Sequence, residues 1–342
     1  MGKERIRHIE TALGADITMQ SLPIGCSMPL VSIPANPVPD GVTTGMIATP
    51  DGVSLRYARW APPPNCKGTV CIIQGRTEYI EKYFETVRDL QARGFAVATF
   101  DWRGQGGSQR LLRSSPLKGY VRRFDDYRID LETFLQHIVL PDYPRPLFAL
   151  AHSMGGMALI RAVKAGAPWF DRVVISAPML QLPNVPVPRL TRTLIRSARL
   201  IGLGGVYVPR RDASVLATAP FRDNPLTSDP VRYARNAAVI EADPSLLLGW
   251  PTVAWLDEAF KAMAETEDPV YPASIRQPML LLAAGVDRVV SAAAIERFAS
   301  YLRTGSHLMI PGARHELLME QDRYRAQFWA AFDAFIPGTP SS

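Results

Sequence analysis

The sequence predicts an α/β fold in which a mostly parallel central sheet carries helices on both faces. Short apolar runs of the buried-strand type alternate along the chain with longer segments of helical periodicity, and 47% of the 342 residues are hydrophobic, enough for a large core. Parallel strands need crossover helices, so this alternation favours a sheet covered on both sides. The alternation stops once, between about residues 183 and 271.

A hairpin, six buried strands and five helices make up the predicted core. The turn residues Pro50-Asp51-Gly52 separate two strand-like runs and predict a β-hairpin over residues 45–49 and 53–60. Continuous apolar runs predict buried strands at 68–74, 96–102, 146–151, 172–177, 278–284 and 307–310. Apolar residues at helical spacing predict helices at 78–93, 124–138, 154–166, 293–303 and 318–335.

The predicted elements divide the chain into a split core and one insertion. The insertion contains no buried strand and is predicted to be mainly helical, with helices at 188–201 and 251–265. The predicted parts are a proline-rich N-terminal arm at 1–44, the core at 45–182 and 272–337, the insertion at 183–271 and a C-terminal tail at 338–342.

Composition excludes several classes of protein. No apolar run approaches the roughly 18 residues that a membrane-spanning helix needs, and no apolar segment follows the charged N-terminus as it would in a secretory signal. The three cysteines, Cys26, Cys66 and Cys71, are too few for a disulfide framework, and no nearby histidine completes a zinc site. We therefore expect a cytoplasmic protein with reduced thiols and no metal.

The net charge of +6 is unevenly placed, with six arginines and no acid between residues 183 and 211. The stretch lacks aromatic interleaving and any recognised binding motif, so we expect no nucleic-acid partner. The helix predicted at 188–201 is amphipathic, which indicates either peripheral contact with an anionic inner membrane surface or an ordinary solvated face. The arginines of the stretch are Arg189, Arg192, Arg196 and Arg199, followed by Arg210 and Arg211.

The clearest candidate for a nucleophile is Ser153, in the stretch Ala151-His152-Ser153-Met154-Gly155-Gly156 between a predicted strand and a predicted helix. A serine on such an elbow is held clear of the sheet, with its hydroxyl at the positive N-terminal end of the helix. The stretch nearly matches the pattern G-x-S-x-G, with Ala151 in place of the first glycine.

The general base for Ser153 is expected just after another strand, because catalytic groups gather outside the carboxyl ends of the strands in an open parallel sheet. Of the five histidines, His315 alone is correctly placed to take a proton from Ser153, because it follows a predicted strand and a glycine turn. His152 is next to the serine in sequence and is expected to point away from it, and His307 stands at the beginning of a strand. His315 is therefore the predicted base.

The carboxylate that orients His315 is predicted to be Asp287, which follows a strand and a glycine turn. Asp101 also ends a strand, but Arg103 and the glycines after it indicate that it braces a loop. The order Ser153, Asp287, His315 along the chain is the order found in α/β-hydrolases.

An oxyanion hole needs two backbone N–H donors. Met154, directly after the nucleophile, supplies one. The second is expected from the loop after the strand at 68–74, where we choose Arg76 because Gly75 lets the backbone turn sharply and Thr77 can begin a helix. Each such donor typically contributes roughly 10² to 10³ in rate.

Motifs in the core and in the insertion carry a family resemblance. They are Ile73-Gln74-Gly75-Arg76-Thr77-Glu78-Tyr79, Arg93-Gly94-Phe95-Ala96-Val97, Asp101-Trp102-Arg103-Gly104-Gln105-Gly106-Gly107-Ser108, the Ser153 elbow, Asn224-Pro225-Leu226-Thr227-Ser228-Asp229 and Pro251-Thr252-Val253-Ala254-Trp255-Leu256. Over residues 45–335 the chain resembles the lysophospholipase L2 and monoacylglycerol lipase branch of the α/β-hydrolase superfamily. The resemblance implies a cap formed by the insertion. It also implies hydrolysis of the acyl ester of a lysophospholipid or monoacylglycerol without metal or cofactor.

Two positions depart from that branch: Gln74, where the family usually has histidine, and Ala151, where it usually has glycine. Neither removes a member of the predicted triad. The expected mechanism is acyl transfer through a covalent intermediate. His315 deprotonates Ser153, the alkoxide attacks the ester carbonyl, and water activated by the same histidine later releases the fatty acid.

The acyl chain is expected to lie beneath the cap, against large apolar side chains whose spacing is equally typical of ordinary helix packing. These side chains are Leu246, Trp250, Trp255 and Phe260.

Other functions stay open on the sequence. A generic carboxylesterase would use the same three residues, and an aminopeptidase of the proline iminopeptidase kind would need acids in the cap to hold a substrate ammonium. Such acids are Glu241, Asp243, Asp257 and Glu258. An epoxide hydrolase or dehalogenase would carry aspartate at position 153. A non-catalytic binding protein of the same fold would have no physical need for Ser153, Asp287 and His315 together.

Overall fold

The computed structural model describes residues 29–166, 169–183, 188–208 and 220–337. Of the arm predicted at 1–44, only the part from Pro29 onward is described, and the first strand begins at Val42 instead of residue 45. Several expectations fall outside the described residues, namely those for Cys26, Arg210, Arg211 and the C-terminal tail at 338–342.

An eight-stranded sheet forms the centre of the molecule. In chain order its strands are β1 (Val42–Ala48), β2 (Ser54–Trp60), β3 (Thr69–Ile73), β4 (Ala96–Phe100), β5 (Leu147–His152), β6 (Arg172–Ser176), β7 (Met279–Ala284) and β8 (Gly305–Ile310). Their spatial order is β1-β2-β4-β3-β5-β6-β7-β8. The β1–β2 and β2–β4 pairs are antiparallel and the other pairs are parallel. The predicted fold class is confirmed.

Helices cover both faces of this sheet. They are α1 (Phe84–Ala92), α2 (Asp126–Phe134), α3 (Ser153–Lys164), α4 (Pro188–Leu200), α5 (Pro230–Ala242), α6 (Val253–Thr266), α7 (Val270–Ala273), α8 (Ala292–Ser300) and α9 (Asp322–Phe335). Buried side chains of α2, α3, α6 and α8 form one apolar cluster with the sheet, and those of α1 and α9 form another on the opposite face.

Strand β5 shows why continuous apolar runs predict these strands. Leu147, Ala149 and Ala151 belong to the first cluster, whereas Phe148 and Leu150 belong to the second. Successive side chains of a strand point to opposite faces, so a strand with a core on each side must be apolar throughout.

Two helices, α5 and α7, were not predicted. Asp229 caps α5 by accepting hydrogen bonds from the N–H groups of Val231 (2.8 Å) and Arg232 (2.9 Å), and Pro230 is the first helical residue. An aspartate followed by proline is a helix-start signal that the periodicity alone does not reveal. The apolar stripe of α5 is weak because its buried residues are few.

Helices α4 to α7 follow β6 and precede β7, and this part of the chain lies over the carboxyl ends of the parallel strands. The N–H of Gly249 donates to the carbonyl of Leu117, in the loop after β4, at 2.7 Å. The N–H of Glu316, after β8, donates to the carbonyl of Leu226 at 2.8 Å. The assignment of the segment that contains α4 to α7 as a cap, with the boundaries 183–271, stays a prediction.

Candidate active site

Ser153 follows β5 directly and is the first residue of α3. Its φ is 49°, in the left-handed region that residues other than glycine rarely adopt. The residues after Ser153 lie very close to neighbouring strands. A Cβ at Gly155 would lie 2.2 Å from the carbonyl oxygen of Gln74, and a Cβ at Gly156 would lie 2.4 Å from Cγ2 of Ile175. Only glycine fits those two positions, so the small residues after Ser153 allow the sharp elbow.

Ala151, which departs from the usual glycine of the elbow, is buried in β5 with 1% of its surface exposed. It belongs to the apolar cluster that also contains Met154. Its methyl group is therefore part of the core and leaves the strand intact.

Ser153, His315 and Asp287 come together in one hydrogen-bonded chain. Nε2 of His315 lies 3.1 Å from Oγ of Ser153, and Nδ1 of the same ring lies 2.8 Å from Oδ2 of Asp287. The other carboxylate oxygen accepts from the N–H groups of Val289 (2.7 Å) and Val290 (3.0 Å). With Nδ1–H donating to the carboxylate, Nε2 is free to accept the serine proton, which is the geometry of a nucleophile, a base and an orienting acid.

The hydrogen-bonded residues Ser153 and His315 are largely shielded from water, with 8% and 2% of their surfaces exposed. Burial opposes the ionisation of Asp287, but the charge and hydrogen bond of His315 hold the pKa of that carboxyl below its usual range. The carboxylate is thus ionised at neutral pH and can stabilise a positively charged imidazole beside it.

His152 lies against His315, which the sequence analysis did not anticipate. The centroids of the two rings are 4.8 Å apart. Nδ1 of His152 donates to the carbonyl of Ser176 at 3.2 Å, so the ring has its own partner and does not serve Ser153. Burial lowers the pKa of His152 to about 4, so this histidine is neutral at physiological pH.

Glu78 braces the loop after β3, a role that the sequence analysis also missed. Its Oε2 accepts hydrogen bonds from the N–H of Gly75 and from the hydroxyl of Tyr83 (2.7 Å). Its Oε1 accepts from Lys82 (2.8 Å), whose ammonium also contacts Glu316 at 2.7 Å. Burial raises the pKa of Glu78, but Lys82 and His152 more than offset this and hold it below its usual range. The four-residue spacing of Glu78 and Lys82 was the available signal.

The two predicted oxyanion donors lie where the loop after β3 meets the start of α3. Met154 is the second residue of α3, so its N–H has no acceptor within the helix. Arg76 precedes Thr77, whose φ of 65° is unusual for a β-branched residue and whose N–H donates to Gln105 at 2.9 Å. Unusual backbone at Thr77 and Ser153 is typical of active sites. The donor roles stay predictions.

The four side chains predicted to shelter an acyl chain do not share one apolar cluster. Trp255 and Phe260 of α6 are buried in the cluster that contains Met154. Leu246 belongs to a separate cluster with Tyr79. Trp250 is partly buried, and its carbonyl accepts the N–H of Gly119 at 3.1 Å. An acyl-binding role for the four stays a prediction.

Asp101 braces a loop, as expected, but its charged partner is Arg56 and not Arg103. Nε of Arg56 donates to Oδ2 of Asp101 at 2.7 Å. Arg103 pairs with Asp51 and Asp130 at 2.7 Å each. Among the residues that the structure describes, no three histidine, cysteine, aspartate or glutamate side chains cluster as metal ligands would.

This mostly parallel sheet carries a serine elbow after β5, an aspartate after β7 and a histidine after β8, all at its carboxyl edge. Such an arrangement defines an α/β hydrolase. The chain belongs to the Hydrolase_4 family, described as serine aminopeptidase, S33, whose model matches residues 64–322.

Relatives agree with this assignment. The chain is 33% identical over 292 residues to lysophospholipase L2 of Escherichia coli (strain K12), covering 81% of this chain and 82% of that protein. It is 28% identical over 187 residues to monoglyceride lipase of Rattus norvegicus, covering 53% and 57%. In fold it resembles a crystal structure of a soluble variant of monoglyceride lipase from Saccharomyces cerevisiae, with a TM-score of 0.67, 20% identity and coverage of 85% and 94%. The family resemblance stated from the motifs is confirmed.

Proposed function

We propose that the protein is a serine ester hydrolase with Ser153, His315 and Asp287 as its catalytic triad and a lysophospholipid or monoacylglycerol as its substrate. The observation that carries the chemistry is the hydrogen-bonded chain from Ser153 Oγ through His315 to Asp287, with links of 3.1 and 2.8 Å. The substrate class is supported by relatives named lysophospholipase L2 and monoglyceride lipase.

The reaction runs in two acyl-transfer steps. Oγ of Ser153 attacks the ester carbonyl while His315 takes its proton. The backbone N–H groups of Arg76 and Met154 donate hydrogen bonds to the oxyanion that forms. The protonated imidazole, stabilised by Asp287, then gives its proton to the leaving glycerol oxygen, and an acyl-enzyme remains. Water, deprotonated by the same imidazole, attacks the acyl-enzyme. The bond to Ser153 Oγ then breaks, the imidazolium returns the proton to that oxygen, and the fatty acid is released.

Labelling with a fluorophosphonate probe, together with a substrate panel, tests this proposal. The wild type should be labelled and should hydrolyse lysophospholipids and monoacylglycerols, whereas Ser153→Ala should lose labelling and about 10⁶-fold in kcat. Ser300→Ala, whose serine is exposed in α8, is the matched control and should be labelled like the wild type. Equal labelling of Ser153→Ala would refute the nucleophile. Turnover of short esters alone would reduce the proposal to a generic carboxylesterase.

The aminopeptidase alternative is disfavoured because two of the four acids named for a substrate ammonium, Asp257 and Glu258, already have cationic partners. Asp257 contacts Arg199 at 2.8 Å and Lys261 at 2.7 Å. Glu258 pairs with the same two cations and also accepts the N–H of Phe124 at 3.0 Å. Amino-acid amides in the substrate panel address this directly, since turnover of amides above that of esters would replace the ester proposal.

We also propose that α4 and the turn after it contact a lipid surface. Apolar side chains of this segment are between 44% and 78% exposed, namely Leu190, Leu194, Leu200, Ile201, Leu203 and Val206. Of the four arginines considered for headgroup contact, Arg192 pairs with Glu267 at 2.5 Å and Arg199 with Asp257, whereas Arg189 and Arg196 are exposed. Apolar side chains would enter the lipid while Arg189 and Arg196 contact anionic headgroups. Among the described helices, none is long and apolar enough to cross a bilayer.

A further inference from the structure

Arg76 carries a charge that no acid of the described residues neutralises. No carboxylate of the part of the chain that the structure describes lies within 4.0 Å of its guanidinium, and its Nε is shielded from solvent without a hydrogen-bond partner. Burial lowers the pKa of Arg76 to about 10, so the group is still a cation at neutral pH. The neighbours that act against this lowering are two tyrosines, Tyr127 and Tyr207, and no carboxylate is among them.

Arg192 and Arg235 also have a shielded Nε without a hydrogen-bond partner, but each contacts a glutamate, Glu267 and Glu85 respectively. Two further buried arginines have more of their donors occupied than Arg76. Arg56 donates to Glu81 through both terminal nitrogens, at 2.8 Å each. Arg110, which like Arg76 has no carboxylate within reach, donates to backbone carbonyls, including those of Gly104 (2.8 Å) and Leu247 (3.1 Å). Removing an ion from water is costly unless its partners replace the water. A buried arginine that has both an unused donor and no acid partner therefore indicates a ligand that completes it.

The side chain of Arg76 extends from the loop after β3 toward the segment that covers the site. Its Nη2 donates to the carbonyl of Gly249 at 2.6 Å, and its Cζ lies 4.9 Å from the ring centroid of Trp255. A Cβ at Gly119 would lie 2.2 Å from Nη2, so glycine is required there for the guanidinium to fit. The guanidinium is therefore held in one place by a carbonyl and an aromatic face, while its Nε stays available.

We propose that the Arg76 side chain binds the phosphate of a lysophospholipid substrate, so that the site prefers phosphate-bearing acyl glycerols to neutral monoacylglycerols. The inference rests on the proposed function and deepens it. The backbone N–H of Arg76 is the proposed donor to the ester oxygen. The glycerol backbone separates the ester from the phosphate by a length comparable to the arginine side chain, so one residue would contact both ends. A guanidinium suits a phosphate because its planar donors match two phosphate oxygens at once.

The test compares two substrates with the same octanoyl chain, a lysophosphatidic acid and a monoacylglycerol, both monomeric in solution. The measured quantity is the ratio of kcat/KM for the phosphate substrate to kcat/KM for the neutral one. Arg76→Met, which removes the charge but keeps the backbone N–H, should lower this ratio by about 10- to 100-fold. Arg76→Lys should restore much of it. Arg110→Met is the matched control because it also removes a buried guanidinium from this region, and its ratio should stay within about twofold of the wild type.

Each alternative outcome overturns the inference in a recognisable way. An equal fall of kcat/KM for both substrates in Arg76→Met would indicate damage to the oxyanion hole. A fall of the ratio in Arg110→Met as large as that in Arg76→Met would indicate a displaced cap. Inorganic phosphate that inhibits monoacylglycerol hydrolysis in the wild type but not in Arg76→Met, with an unchanged ratio, would indicate a site for free anions. If the wild type hydrolyses neither lipid, the proposed function fails as well. Thermal unfolding serves as the folding control, since removal of an unpaired buried charge should not lower Tm.

Discussion

At the scale of single residues, two neighbouring histidines have different hydrogen-bond partners. One ring nitrogen of His315 is hydrogen-bonded to Ser153 and the other to Asp287, which is the geometry that proton transfer from the serine would need. His152 packs against it with a pKa of about 4 and a carbonyl partner. In the proposed mechanism His315 becomes protonated, and a neutral ring beside it adds no repulsion to that charge.

The low pKa of His152 predicts a loss of stability in acid. In the unfolded chain the histidine binds a proton below about pH 6.5, whereas in the folded protein it does so only near pH 4. Between these values the unfolded state binds more protons, so stability falls as the pH falls. Between pH 7 and pH 4.5, we expect the free energy of unfolding of the wild type to fall by about 2 to 3 kcal/mol more than that of His152→Gln.

Urea unfolding of both proteins at the two pH values measures this difference. His152→Gln keeps an amide that can donate to the carbonyl of Ser176 but has no proton to bind. The same loss of unfolding free energy in both proteins would mean that His152 does not titrate as its burial indicates.

The residues of the candidate triad could be predicted because each follows a strand, and the topology of a parallel sheet brings strand ends together. His152, Glu78 and Lys82 could not be assigned in the same way. Their contacts join residues of the loop after β3, the elbow and the segment after β8, and only the packing of these three strand ends decides which side chains meet. An arginine that lacks an acid, such as Arg76, is likewise visible only once its surroundings are known.

At the scale of elements, α4 packs Ile195 against the main apolar cluster but leaves several of its leucines exposed. Leu194 is 61% exposed on it, whereas the basic residues Arg192 and Arg199 turn inward to acids. The sequence analysis attributed membrane contact to the arginines. The exposed surfaces indicate that leucine side chains carry more of the proposed contact.

Vesicle sedimentation at low salt separates the apolar and electrostatic parts of this contact. Leu194→Glu should reduce binding to neutral and anionic vesicles severalfold, because it places a charge where an apolar group would enter the lipid. Arg196→Gln should reduce binding to anionic vesicles alone. Arg192→Gln, which removes an arginine already paired with Glu267, is the matched control and should bind like the wild type. Unchanged binding of Leu194→Glu would remove α4 from the proposed contact surface.

Strands were easier to predict than helices in this chain. Strands with a core on both sides leave continuous apolar runs, whereas α5 buries only Tyr233, Val239 and Ile240 and leaves a faint stripe. The predicted helix at 318–335 is in fact a 3-10 turn at Leu317–Met319 followed by α9. Its apolar residues are continuous across the break because both pieces pack on the same cluster.

At the scale of the whole molecule, one buried ionic network joins distant parts of the chain. Arg56 of β2 contacts Asp101, after β4, and Glu81, before α1, and all three side chains are at most 3% exposed. Glu81 also accepts the N–H of Val31 at 3.2 Å, and its carbonyl accepts from Asn36 at 2.8 Å. The network therefore fastens the described part of the N-terminal arm to the edge of the sheet.

Replacing Arg56 with methionine should cost about 3 to 5 kcal/mol of unfolding free energy, because it leaves two buried carboxylates without their cation. Arg59→Met is the matched control in the same strand. Its partner Asp142 is 57% exposed, so that substitution should cost no more than about 1 kcal/mol. Urea unfolding at pH 7 distinguishes the two, and equal losses would show that burial does not control the strength of these pairs.

The strands could be predicted from the sequence, but their spatial order in the sheet could not. The exchange of β3 and β4 in space, which puts β3 next to β5, depends on how crossover helices pack and leaves no local signature. That exchange brings the loop bearing Arg76 beside the elbow, since Ile73 pairs with Ala151. The candidate oxyanion hole is thus a product of topology.

If Ser153 is the nucleophile as proposed, its left-handed backbone makes stability and turnover opposing requirements at this one position. A residue with a side chain is strained there by roughly 1 to 2 kcal/mol, and glycine is not. A mutant library screened for survival of heating alone would therefore enrich glycine at position 153, and under the proposed mechanism those variants would be inactive. Engineering this protein for industrial temperatures requires a screen that scores product formation in every round.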